Sequence, residues 1–270
     1  TLMQFLVDAE VPRRAKNPCK GTSLPSLDDG EGDEEMCFLD VEDYGLLRGG
    51  FEDEDALALA DFLFGTGLRF SEATALQPRD FELGARRFRV RRAWKQAESG
   101  RYYLGPPKTK ASVRWVGLTD AQVGAVAARI EGKRERDLVF TGPSGGRWTH
   151  STFYTGRWRP AVYRAVRCVG CRGEDYAAGV GRRGPSTLNA AAIVWCGHAG
   201  QLEKVPRVHD LRHSHVAVLI ASGAHLLSVS RRLGHKGIEI TYNRYGHLVD
   251  EVEEDLVAGL GVMLGRIGQR

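Results

Sequence analysis

The 270-residue chain contains no run of about eighteen apolar residues, so no membrane-spanning helix is expected. It begins Thr1-Leu2-Met3-Gln4-Phe5-Leu6, without a basic stretch ahead of a long apolar one, so no secretory signal peptide is expected. It also lacks an initiator methionine and is read as a piece of a longer protein. Cysteine is scarce and odd in number, at Cys19, Cys37, Cys168, Cys171 and Cys196. Without secretory context, that count argues against a disulfide framework and leaves reduced thiols or a metal site. No internal repeat is present.

What is there is length enough for one large domain or two modest ones with a real core. The charge is divided. Between residues 28 and 55, thirteen acids stand against one base, Arg48, so the overall +4 splits into −12 there and +16 elsewhere. Such a split suits a basic face for a polyanion with an acidic stretch held off it, and equally a solvated acidic loop on an ordinary surface.

Taken in order, residues 1–15 read as the end of a helix, a remnant of a preceding domain. Residues 16–37, rich in Pro, Gly and acid, read as a flexible linker. The compact domain is expected over 38–270. Apolar spacing from Glu52 to Phe64 predicts an amphipathic helix stopped at Gly65-Thr66-Gly67, then a short helix over 68–76. Arg69 falls in the tight turn between them. Phe88 to Trp94 alternates as one half-buried strand, with further strands at 101–104 and 113–118 and a basic turn, Pro106 to Ser112, between those two. Helices follow over 119–130 and 151–167. Residues 168–204 break the pattern as a Cys/Gly/Arg-rich insertion. Helices are then predicted over 208–222, ended by Gly223, over 226–233, ended by Gly234, and over 248–264. The fold class is α+β, mainly α-helical, with a small antiparallel β-sheet.

Near the end, Tyr245 follows the Gly234-His235 corner by ten residues, and upstream His209 and Arg212 stand three apart on one helix face. Cleaving a phosphodiester with a protein nucleophile needs a hydroxyl aimed at phosphorus, cations on the non-bridging oxygens and an acid for the leaving oxygen. Tyr245 offers the hydroxyl, Arg69 and Arg212 the guanidinium forks, His209 and His235 further hydrogen bonds, and a lysine of the basic turn the proton. Tyr242 is the competing tyrosine, read as a packing residue. His213, His215, His225 and His247 read as surface or capping histidines.

Those residues occur as Thr66-Gly67-Leu68-Arg69-Phe70-Ser71-Glu72, Lys108-Thr109-Lys110, His209-Asp210-Leu211-Arg212-His213-Ser214, Leu233-Gly234-His235 and Arg244-Tyr245-Gly246-His247. In that order the chain resembles the catalytic domain of the tyrosine recombinases, the phage integrase family, over roughly residues 38–260. The resemblance implies a site-specific DNA recombinase working through a 3′-phosphotyrosyl intermediate. Arg69 and Arg212 would hold the pentacoordinate phosphate, with Glu72 orienting Arg69. Lys110 would be the general acid, with Lys108 as its rival, His209 and His235 would handle protons, and Tyr245 would be the nucleophile. It implies no catalytic cofactor, double-stranded DNA with attachment or core sites as partner, a homotetramer on DNA and a monomer when free, and a bacterial cytoplasm as location. The C-terminal helix would dock on a neighbouring protomer or on its own core. Two departures stand out. Tyr245 lies one residue farther from His235 than in many members, and little precedes residue 38 that would serve as the family's DNA-clamping domain, so this chain alone is expected to bind DNA poorly.

Other readings remain. A type IB topoisomerase shares the same residue logic but acts as a monomer, and a DNA-binding module would keep the fold without the chemistry. His209 and His213 have the spacing of helical zinc ligands, which would suit a zinc hydrolase but leaves Arg69, His235 and Tyr245 without a role. Separately, Cys168, Cys171, Cys196 and His198 are candidates for a closed structural zinc site in the insertion, against free thiols.

Overall fold

The computed structural model describes residues 36–107, 109–181, 184–185, 196, 198–249 and 257, apart from the side chains of Lys110 and Tyr176. The expected helix remnant over 1–15, nearly all of the linker over 16–37 and most of the terminal helix over 248–264 lie outside those residues.

The acidic run from Asp40 onward is spent on helix starts. Asp40 and Asp43 form a reciprocal cap on α1 (Val41–Gly49), and Asp53 accepts from the Ala56 amide to start α2 (Glu54–Thr66). Several of these acids also hold cations: Asp53 takes Arg157 at 2.7 Å and Asp55 takes Arg129 at 2.9 Å. The acidic stretch is therefore partly built into the domain rather than held off it. α2 starts and stops two residues later than expected. Its cap sits at Asp53, and of the expected stop Gly65-Thr66-Gly67 it is Gly67 (φ 67°), a left-handed residue, that ends the helix. After that stop the chain enters α3 (Phe70–Ala73).

The single strand expected over 88–94 is two strands in two sheets. β1 (Phe81–Glu82), β2 (Arg87–Val90) and β5 (Arg114–Gly117) form an antiparallel sheet in the order β1-β2-β5, while β3 (Ala93–Gln96) and β4 (Tyr102–Gly105) form a separate hairpin. The break falls where Arg92 turns away to pair with buried Asp80 at 2.6 Å. In β5 alternation turns Arg114 and Val116 inward and Trp115 outward, where Arg87 stacks over the indole at 4.2 Å.

A Thr119–Gln122 capping box opens α4 (Asp120–Ile130). The helix expected over 151–167 is interrupted: α5 (His150–Phe153) passes through a wide turn at Tyr154–Trp158 into α6 (Arg159–Val166). Pro160 has no N–H for the helix ladder, and the wider turn absorbs the missing bond. α7 (Val169–Ala177) lies in the insertion. The last described helices are α8 (Asp210–Ala221), α9 (Leu226–Leu233, ended by left-handed Gly234) and α10 (Ile238–Tyr245). A large core gathers Leu59, Leu63, Phe88, Phe140 and Trp158, and Leu211 joins α8 to it. A smaller one, Val216, Ile220, Val229, Leu233 and Tyr245, binds α8, α9 and α10 together. That second core seats the tyrosine helix against the helix carrying His209 and Arg212.

Candidate active site

The left-handed turn at Gly67 leaves Arg69 at the N-terminus of α3, one turn before Glu72. The Glu72 carboxylate accepts the Arg69 amide at 3.2 Å, while the guanidinium lies farther off, at 3.5 Å. Its main partner is Arg114 of β5, which grips both oxygens at 3.0 and 3.3 Å. Glu72 therefore orients Arg114 first and Arg69 second. Burial pushes this carboxyl up, but Arg114, Arg212 and Arg69 together outweigh it and hold Glu72 below the usual carboxylate range. Arg114 also donates to the carbonyls of Arg232 and Ser112, which ties β5 to the end of α9.

Arg212, in the first turn of α8, is buried among acceptors. It donates to the carbonyls of Gly67, the α2 stop, at 2.6 Å and of Leu233, the last residue of α9, at 3.0 Å, and to His235 Nε2 at 3.1 Å. Burial, then the like charge of Arg69, lowers its pKa to about 9, which leaves it a cation at neutral pH. With arginine donating, His235 Nε2 must accept. The neutral ring then carries its proton on Nδ1, which donates to buried Thr241 at 2.7 Å. His209 sits at the head of α8, and burial, Arg212 and Arg69 bring its pKa down to about 4. It is a neutral imidazole between two cations.

Tyr245 closes α10 with 1% of its surface exposed, and its hydroxyl lies 2.7 Å from His213 Nδ1. Burial raises its phenol pKa, against the pull of Arg212, Arg244 and Arg69. Arg69, Glu72, His209, Arg212, His235 and Tyr245 thus gather at one place. Lys110 begins a short turn, Lys110–Ser112, after β4, and neither its side chain nor Lys108 is among what is described, so the choice between them stays open.

Of the other histidines, His213 is no surface residue: it is buried against the Tyr245 hydroxyl. His215 is buried too, accepting from Arg232 Nε at 2.9 Å and donating to the Phe64 carbonyl at 2.8 Å. Tyr242 is 58% exposed rather than packed in a core, with its ring over Gly246. His225 caps α9 and His247 is exposed, as expected. Against the zinc hydrolase reading, His213 Nδ1 is occupied by the Tyr245 hydroxyl, His209 stands beside the Arg212 and Arg69 cations, and among the described residues no third metal-ligating side chain gathers with the two.

Residues 184–251 match the family model described as the Phage integrase family. That span holds His209, Arg212, His235 and Tyr245, in the geometry above. Over that stretch the chain is similar to the phage integrase family. It is 26% identical over 206 residues to the ICEBs1 integrase of Bacillus subtilis (strain 168), covering 74% of this chain and 47% of that protein. It is 24% identical over 256 residues to a "Tyrosine recombinase XerC-like" of Caldanaerobacter subterraneus, covering 91% of this chain and 60% of that one. The chain therefore spans about half to three-fifths of the length of these curated relatives. In fold it is similar to the Tn1549 transposon integrase in complex with transposon right end DNA, with TM-score 0.60 and 20% identity, over 95% of this chain and 75% of that one. This integrase fold brings Arg69, from far outside the matched span, beside Arg212.

The buried neutral histidines make stability depend on pH. His209, His213 and His215 have folded pKa values of about 4, 4 and 3, below the ordinary 6.5. Their depressed values mean the unfolded chain binds more protons as pH falls. Their stabilising share is full above pH 6.5 and drains away down to about pH 4 for His209 and His213 and about pH 3 for His215. Urea unfolding should show a loss of several kcal/mol across that window, at about 1.4 kcal/mol per pKa unit. Replacing Arg114 by methionine leaves the Glu72 carboxylate buried without its main cation and should cost about 3–5 kcal/mol at neutral pH. The difference from wild type should shrink in acid, where Glu72 is protonated in both proteins.

Proposed function

We propose that this chain is the catalytic part of a site-specific DNA recombinase that cuts and rejoins DNA through a tyrosine. The observation that carries this reading is the Tyr245 hydroxyl, held within its own chain on His213 while Arg212 and Arg69 act on it electrostatically. A phenol so placed lies where a phosphate would be drawn by the surplus of guanidinium charge.

In the proposed reaction, the Tyr245 oxygen attacks a backbone phosphorus. The oxygen–phosphorus bond forms, the bond to the 5′ oxygen breaks, and the 3′ end is left on tyrosine. Arg69 and Arg212 stabilise the charge that builds on the non-bridging oxygens, with His209 and His235 hydrogen-bonding the same group. His213 acts as a positioning residue: it fixes the phenol oxygen and stands ready to take its proton. The departing 5′ oxygen takes a proton from Lys110. The phosphotyrosyl bond keeps the energy of the broken one, so a 5′-hydroxyl from a second duplex reverses the step without nucleotide or metal. The structural zinc reading of Cys168, Cys171, Cys196 and His198 stands apart from this chemistry.

The partner is double-stranded DNA bearing a core site, gripped chiefly through its phosphates and released by salt. A homotetramer is the working assembly, formed from monomers on DNA in the cytoplasm of a bacterium. Residues 38–270 act as the catalytic domain.

The test is a suicide DNA substrate carrying a nick beside the cognate site, offered to the whole protein. Wild type should give a covalent protein–DNA adduct, Tyr245→Phe none, and Arg69→Ala or Arg212→Ala about a thousandfold less. An adduct that survives Tyr245→Phe would overturn the assignment. Relaxation of supercoils without any strand exchange would instead favour the topoisomerase reading.

A further inference from the structure

The cysteines at the edge of the insertion are unused by this chemistry, and their geometry is specific. Cys168 stands just before α7 and Cys171 in its first turn, while Cys196 and His198 approach from the other end of the insertion. The four ligand atoms all lie within 4.8 Å of one another. His198 Nδ1 is 3.5 Å from Cys168 Sγ and 3.6 Å from Cys171 Sγ. An imidazole nitrogen has one lone pair or one proton, so it cannot make two equal in-plane hydrogen bonds to two sulfurs. Equal separations arise naturally around a shared central ion. A regular tetrahedron with zinc–sulfur bonds of about 2.3 Å and zinc–nitrogen bonds of about 2.0 Å sets sulfur and nitrogen about 3.5 Å apart and sulfurs about 3.8 Å apart.

We infer that Cys168, Cys171, Cys196 and His198 form a closed Cys3His site for a structural zinc ion. Protein ligands fill all four positions, which leaves no place for a reacting water and makes the site structural. Its surroundings suit a thiolate-rich centre. The Cys171 amide donates to Cys168 Sγ at 3.4 Å, and Arg167, next to Cys168, donates to the Cys171 carbonyl at 3.3 Å. Arg167 is itself steadied by Asp175 of α7, which also takes the Tyr163 hydroxyl at 2.5 Å.

The site joins the two ends of the insertion where they meet the core. On one side is the end of α6. On the other, four residues past His198, the Leu202 amide donates to the Ala165 carbonyl at 2.9 Å with its side chain buried in the core. The chain then passes Pro206, whose carbonyl takes the Trp158 indole N–H at 2.9 Å, and reaches His209. Zinc therefore fixes the approach to the helix that carries His209, Arg212 and His213.

The test measures metal in the purified full chain, grown with zinc available, and needs no DNA. One zinc per chain is expected, released when the thiols are alkylated, and cobalt(II) in its place should give the intense absorption of tetrahedral thiolate coordination. Cys196→Ser and His198→Ala should lose the ion, while His198→Cys, which keeps four ligands, should retain it. Chelation of wild type should lower its melting temperature, and restored zinc should recover it. Wild type free of zinc and unable to take up cobalt, or a Cys168–Cys171 disulfide in the protein as purified, would overturn the site. These readouts stay separate from any failure of the recombinase reading, which concerns DNA cleavage.

Discussion

Crowding several guanidinium groups into one protein interior is costly unless something answers their charge. Here the answer is partial. Glu72, buried and ionised, stands among Arg114, Arg212 and Arg69, and holds Arg114 tightest. Arg114 and Arg212 are buried with that carboxylate, while the Arg69 side chain keeps 29% of its surface exposed. Backbone carbonyls at helix ends take further donors of the two buried guanidinium groups: those of Gly67 and Leu233 accept from Arg212, and those of Arg232 and Ser112 from Arg114. Gly234 is held to glycine for the same reason: at φ 73°, a Cβ there would come within 2.9 Å of the Arg114 guanidinium. The helix stops are therefore also the walls of the site.

The tyrosine is brought in by packing rather than by charge. α10 is short, and what holds it is the small core in which the Tyr245 ring lies beside Val216, Ile220, Val229 and Leu233. Burying the ring fixes the hydroxyl's reach, and His213 fixes its direction. Arg212 and His213 are neighbours on α8, so one helix presents both a phosphate-gripping cation and the group that holds the phenol. The ten-residue step from His235 to Tyr245 is taken up by the corner at Gly237 and the turns of α10, with Thr241 inside that step anchoring the His235 ring.

Much of this is legible in the residues. Gly67 and Gly234 mark helix ends whatever the tertiary setting, and Arg69 and His235 follow close behind them. Arg212 can be placed because the spacing of His209 and Arg212 on a helix is local geometry. Arg114 is legible only in principle: alternation in β5 puts it on the inward face with Val116, but an inward arginine reads as an error until its buried carboxylate is known. His213 is legible only in part: it stands four residues after His209 on the same helix face, but nothing in the order of α8 shows that Tyr245 meets that face. The split of the expected strand over 88–94 likewise depends on Asp80, a partner outside the pattern it interrupts.

Whether one chain supplies both the cation cluster and the nucleophile is tested most directly by mixing two inactive full-length variants, Tyr245→Phe and Arg212→Ala. The mixture is offered the suicide substrate and assayed for the covalent adduct. If Tyr245 acts beside the arginines of its own chain, neither variant can complete the other and the mixture stays inactive. Recovery of adduct on mixing would mean the tyrosine is delivered to a neighbour's site, and would contradict the account.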